Sequence, residues 1–182
     1  MIEISFSAMV LTVSILWVIV RAAFCIRQRK VDLRREALLL LVYICIIVVV
    51  RCTFCPFRKV DGQVQPLLFD PAQVWPFRIN LVPLVHLMDY PKRSEALLNL
   101  IGNTAMFLPL GIIWPSVFPK LDRHWKVIAA GAGFSLCIEL VQLPFFDRVS
   151  DIDDLLLNTL GFVAGYLIWL LCRFLCRRKA AK

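Results

Sequence analysis

The chain has 182 residues, 60% of them hydrophobic and 19% charged, and carries a formal net charge of +8; its mean hydropathy is +0.76. A core of this size cannot hide that much apolar surface from water, which excludes a soluble domain and makes a bilayer the fitting solvent. The basic residues cluster beside apolar runs and are not interleaved with aromatics, so they read as topogenic charge and not as a nucleic-acid surface.

Residues 4–20 are uncharged and about long enough to cross a hydrocarbon core of roughly 30 Å, particularly if the helix continues past Arg21 to Cys25. A cleaved signal peptide is the rival reading, but Glu3 stands where a basic n-region belongs and no A-x-A site follows. Residues 27–35 (RQRKVDLRR) are the densest basic cluster, and the apolar run Ala37–Val50 returns the chain across the membrane. Residues 51–95 hold Pro56, Pro66, Pro71, Pro76, Pro83 and Pro91, so no uninterrupted membrane helix fits there. Trp75, Phe77 and the apolar set Leu81–Leu87 suggest that part of this extracytoplasmic loop lies at the interface. Further spans are expected at about Ala96–Val117, Val127–Leu143 and Leu155–Leu175, the last ending in a basic tail. The expected fold is all-α, a single polytopic membrane bundle of about five transmembrane helices.

Five spans put the termini on opposite sides. With the N-terminus outside, 14 of the 21 Lys and Arg fall on the inner side and seven on the outer, so the positive-inside rule selects N-out/C-in.

The polar groups inside the apolar segments mark the place for chemistry. Ser135, Glu139 and Gln142 are spaced i, i+4, i+7 and share one helical face, as do Asp151, Asp154, Asn158, Gly161 and Gly165. At 1.5 Å per residue Asn99 and Asn103 lie roughly 6 and 12 Å beyond Glu95, Glu139 lies roughly 12 Å before Asp147, and Asn158 lies roughly 6 Å beyond Asp154. All these depths are measured from loops on one side, so three helices offer polar side chains in the same leaflet whichever way the chain is inserted. A charge near the bilayer centre costs about 2.5–3.5 kcal/mol on insertion scales, so Glu139 should face the bundle interior and be partnered or protonated. Arg148 is the nearest basic residue in sequence and the first candidate for that partner.

Each signal has a bland reading beside it. Asn99 and Ser135 can bond neighbouring helices for about 1 kcal/mol or less. Gly161 and Gly165 form a G-x-x-x-G pair, read here as a site of close helix approach. Asp151, Asp153 and Asp154 can hold Mg²⁺ or Ca²⁺, but capping of the fifth helix or a salt-bridged loop is preferred. Cys52 and Cys55 form a C-x-x-C without a thioredoxin-like context, so a local disulfide or free thiols are preferred to redox chemistry. His86 and His124 are lone and fall on different sides. No metal site and no cofactor is expected, and no known intramembrane hydrolase pattern is present; Glu139 and Asp154 are candidate acid–base groups with no nucleophile to name.

Four ordered blocks, RINLVPL at 78–84, NLIGNTAMFLPLG at 99–111, SLCIELVQ at 135–142 and RVSDIDDLLLNTLGFVAGY at 148–166, resemble the signature blocks of the VanZ-like membrane proteins. The resemblance covers residues 78–166. It carries over as a binding set Asn80, Asn99, Asn103, Ser135, Glu139, Gln142, Arg148, Asp151, Asp154 and Asn158, together with Pro83, Gly102, Phe107, Pro109, Gly111, Gly161 and Gly165. It implies a multi-pass protein of the bacterial cell membrane, and the family is named for a member that lowers sensitivity to the glycopeptide teicoplanin. Three readings follow: a protein that binds a lipid-linked envelope component or the lipid-anchored drug in an outer-leaflet polar cavity, an enzyme acting on an envelope lipid, and a packing-only scaffold.

Overall fold

The computed structural model describes residues 1–28, 32–54, 59–60, 63–64, 67–76, 78–83, 93–146 and 148–180. Five helices dominate: α1 (Phe6–Gln28), α2 (Leu33–Phe54), α3 (Arg93–Val117), α4 (His124–Gln142) and α5 (Ile152–Ala180). Each is long and apolar enough to cross a membrane. Most of their ends extend the sequence expectation outward by three to five residues, although α1 starts two residues later, α3 ends where expected and α4 ends one residue earlier; a helix keeps its backbone hydrogen bonds satisfied through the polar flanks as well as the apolar centre.

These flanks contain charge. α1 runs through Arg21, whose guanidinium forms an ion pair with Glu36 in the first turns of α2. Farther along the same pair of helices the Ser14 and Tyr43 hydroxyls lie 2.7 Å apart, and Trp17 packs on the Tyr43 ring. None of the most apolar window of α1 is buried, so α1 is peripheral and polar contacts clasp it to α2.

The centre of the bundle is the pairing of α3 with α5, the most extensive helix contact in the protein. A Cβ built on Gly161 would lie 2.0 Å from the Thr104 carbonyl oxygen, one on Gly165 2.1 Å from the Leu108 carbonyl oxygen, and one on Gly111 2.0 Å from the Phe162 carbonyl oxygen. Backbone therefore meets backbone from both sides, as the G-x-x-x-G spacing leads one to expect. Phe107 and Leu110 of α3 and Phe162 of α5 are fully buried beside this contact. α4 completes the core: Gly131 lies against the Phe162 ring, and Val127, Ser135, Ile138, Glu139 and Gln142 all face inward.

Among the described residues six short strands, which the all-helical expectation does not contain, join the loops. β1 (Ile2–Ile4) pairs antiparallel with β4 (Leu67–Phe69), β2 (Lys59–Val60) with β3 (Gln63–Val64), and β5 (Ile79–Asn80) runs parallel to β6 (Ser150–Asp151). Asp70 N–H donates to Pro144 O, and Phe146 N–H donates to Leu68 O. Phe145 sits between Phe54 and Phe69. Backbone pairing thus gathers the N-terminus, the end of α2, the 67–80 segment and the α4–α5 turn at one end of the bundle. Trp75, Leu81 and Val82 are exposed there; Phe77, residues 84–92 with His86, Cys55 and Asp147 lie outside the described residues.

Placing a methyl group at the α3–α5 contact should force the helices apart. Gly161→Ala is expected to cost about 1–3 kcal/mol as an overpacked contact. Gly102→Ala, with nothing within 4 Å of the added Cβ, should be neutral or gain up to about 1 kcal/mol of helix propensity. Unfolding of the purified proteins in mixed micelles separates the two; equal behaviour would remove the close-approach reading.

Candidate functional site

The expected polar set converges. A cavity of about 340 Å³ is bounded by Asn99 and Asn103 of α3, Glu139 and Gln142 of α4, Arg148 of the α4–α5 turn, and Asp154 and Asn158 of α5. Its remaining wall was not foreseen: Cys52 and Thr53 at the end of α2, Met106 of α3 and Val149. Of these only Thr53 and Cys52 carry polar atoms, and no motif points to them, because their position follows from how α2 leans on α3.

Helical spacing explains each side chain's place. Ser135, Glu139 and Gln142 fall on the face of α4 that Gly131 brings against α5, and their exposures are 0%, 2% and 4%. Such groups must find partners where water is absent. Asn158 Nδ2 donates to Ser135 Oγ at 3.0 Å, joining α5 to α4. Asn103 uses both amide hydrogens: one goes to Asn99 Oδ1 one turn earlier, 2.6 Å away, and the other to the Asp154 carboxylate on α5. Asn103 therefore orients an amide and a carboxylate that belong to two helices.

Glu139 is held by the backbone. Its Oε2 accepts from the Asp151 N–H at 3.0 Å, a partner no side-chain inspection of the sequence proposes. The Arg148 guanidinium, the sequence's first candidate, donates to the Phe54 carbonyl at 3.0 Å, and its positive charge acts on Asp154. Arg148 thus ties the end of α2 to the α4–α5 turn and lines the cavity together with Glu139 and Asp154.

The acidic loop is a cap. Asp151 Oδ1 accepts from Asp153 N–H at 2.9 Å at the start of α5, and from Asn80 Nδ2 at 3.2 Å. An Asp in this position satisfies an amide that the helix leaves unbonded. Asn80 is thereby drawn from the long loop to the rim, beside Asp151 in the β5–β6 register. Arg78, the next residue but one, donates to the Phe145 and Phe146 carbonyls and clamps that strand to the α4–α5 turn; sequence reading gave it no role. Among the described residues no group of three or more His, Cys, Asp and Glu is arranged to hold a metal ion. His124, at the opposite end, pairs its Nδ1 with the Tyr166 hydroxyl at 2.8 Å.

An amide oxygen of the cavity wall is unsatisfied: Asn158 Oδ1 is buried and has no hydrogen-bond partner among the described residues, although its amide nitrogen is engaged. A buried carbonyl oxygen left bare is a costly feature, and a ligand that donates a hydroxyl or N–H would remove that cost. The cavity therefore combines one cation, carboxylates, amides and an idle acceptor, which suits a hydroxylated or amide-bearing polar group with an anionic neighbour.

A family model described as VanZ/LLP1 matches residues 40–173, which begins within α2, well before the blocks at 78–166 that carry the sequence resemblance. No curated protein and no solved structure matches the chain.

Substitution at Glu139 should separate holding from charge. Glu139→Gln keeps an oxygen for the Asp151 N–H and should change stability little. Glu139→Ala leaves that amide bare and should cost about 1–3 kcal/mol. Unfolding in mixed micelles measures both; an equal loss would show that the backbone bond is not what holds this residue.

Proposed function

The chain belongs to the VanZ/LLP1 family, and from that membership we propose that it is a bacterial cell-membrane protein that lowers sensitivity to glycopeptides such as teicoplanin. In this reading the polar cavity holds the headgroup of a lipid-linked envelope component, or the lipid-anchored drug, and keeps the two apart. The observation that supports it is the 340 Å³ cavity in which Asn99, Asn103, Glu139, Gln142, Arg148, Asp154 and Asn158 converge from three helices and a turn.

The chemistry fits such a headgroup. Arg148 can meet a phosphate oxygen with charge-assisted hydrogen bonds. The amides and carboxylates can meet sugar hydroxyls or peptide N–H groups, and Asn158 Oδ1 offers an acceptor with nothing yet bound to it. The volume lies near the lower end of the roughly 300–1,000 Å³ usual for ligand pockets. It accommodates a sugar or a short peptide segment and not a whole glycopeptide, so the rest of the ligand would lie in the bilayer or the water.

The basic residues support N-out/C-in, in which the cavity opens in the outer leaflet, where envelope precursors and the drug are exposed, with the exposed Trp75, Leu81 and Val82 at the interface. Reporter fusions after Lys182 test this. A C-terminal fluorescent protein should glow and a C-terminal alkaline phosphatase should be inactive; an active phosphatase would invert the topology.

The decisive test is the minimum inhibitory concentration of teicoplanin, beside vancomycin, in a susceptible Gram-positive host. Wild type should raise the teicoplanin value by several doubling dilutions, and Glu139→Gln at matched membrane levels should lose that rise. No rise with wild type would end the resistance reading for this chain.

A further inference from the structure

At the end of the bundle opposite the polar cavity lies a larger one, about 780 Å³, between the inner ends of α1 to α4. Its composition is amphiphilic. Phe24, Leu38, Trp114 and Phe118 supply an apolar wall from three helices and the turn after α3, and Arg34, Arg35 and Lys120 stand at the rim with a single acid, Asp32. That acid is already committed. Its Oδ1 accepts from Arg34 N–H at 3.0 Å and from Arg35 N–H at 3.4 Å, so it caps α2. The three cations of the rim thus face a cavity with one carboxylate that is turned to the backbone.

Two hydrogen-bond donors of the cavity wall are left idle. Arg35 Nε and Trp114 Nε1 are both buried, and neither has a hydrogen-bond partner among the described residues. They come from different helices, α2 and α3, and line the same space. Inside an apolar bundle such donors are retained at a cost unless an acceptor reaches them. An acceptor that serves both, beside three cations, is anionic and rich in oxygen. The apolar wall adjoining it requires a hydrocarbon portion in the same molecule.

We propose that this cavity is a binding site for an anionic phospholipid, with the phosphate between Arg34, Arg35 and Lys120 and an acyl chain along Phe24, Leu38 and Phe118. The volume is that of an ordinary ligand pocket, enough for the headgroup and glycerol while the chains continue into the bilayer. The loose attachment of α1, which packs against α2 with none of its apolar window buried, leaves a lateral way in for a lipid. This site is separate from the polar cavity and does not rest on the function proposed for it.

Native mass spectrometry of the full chain in detergent tests the assignment. Phosphatidylglycerol and phosphatidylcholine with identical acyl chains are titrated, with inorganic phosphate as competitor. Wild type should hold phosphatidylglycerol several-fold more tightly than phosphatidylcholine, and millimolar phosphate should not displace it. Arg35→Gln and Trp114→Phe, each of which removes an idle donor, should lower phosphatidylglycerol affinity several-fold. Arg177→Gln, an exposed cation of the α5 tail outside the cavity, should leave it unchanged. Should Arg35→Gln fail to fold, Trp114→Phe, which keeps an aromatic side chain while removing the indole N–H, decides alone. Equal retention of the two lipids, equal loss in the Arg177 variant, or complete displacement by phosphate would each overturn the proposal; the first denies headgroup recognition, the second shows diffuse attraction, and the third a site for a free anion.

Discussion

The arrangement depends on the backbone contact between α3 and α5. Gly161, Gly165 and Gly111 remove the side chains that would hold these helices apart, and carbonyl oxygens of each helix take up the space a Cβ would need. In a bilayer there is little hydrophobic gain from joining two apolar helices, so close packing of small residues is what drives them together. The contact also sets depth. With α3 and α5 locked at Thr104 to Gly161 and Leu108 to Gly165, Asn103, the neighbour of Thr104, and Asp154, about two turns before Gly161, are brought within hydrogen-bonding reach.

Once that register is set, the polar groups have few choices. Asn103 must use its two hydrogens on Asn99 and Asp154, Asn158 its nitrogen on Ser135, and Glu139 the backbone of Asp151. A medium without water makes each unmade bond expensive, so the network is nearly closed. Asn158 Oδ1 is left without a partner among the described residues, and Asn158 lines the same space as Arg148 and Glu139. Stability and recognition are coupled there, since the bonds that order the cavity also determine which atom remains idle.

The two ends of the bundle use opposite chemistry. At the strand-capped end, amides and carboxylates surround one arginine; at the other, cations overlie an aromatic and aliphatic wall. Short backbone pairings, with Arg78 clamped on the Phe145 and Phe146 carbonyls, tie the loops of the first end together. α1, tied to α2 by the Arg21–Glu36 and Ser14–Tyr43 contacts, leaves the second more open.

The sequence by itself determined the five helices, the inward faces of α4 and α5, and the meeting of Asn99, Asn103, Glu139, Asp154 and Asn158. Helical period and hydrophobic length are local properties, and a carboxylate within the membrane is too costly to leave facing lipid. Tertiary structure alone decided the rest. The Asp151 amide as the partner of Glu139, the carbonyl of Phe54 as a partner of Arg148, the strand pairs of the loops and the entry of Cys52 and Thr53 into the cavity wall all involve backbone atoms or helix tilts. Every residue carries the same backbone groups, so nothing in the order of side chains announces which of them will be used; only the docking of whole helices brings them within reach.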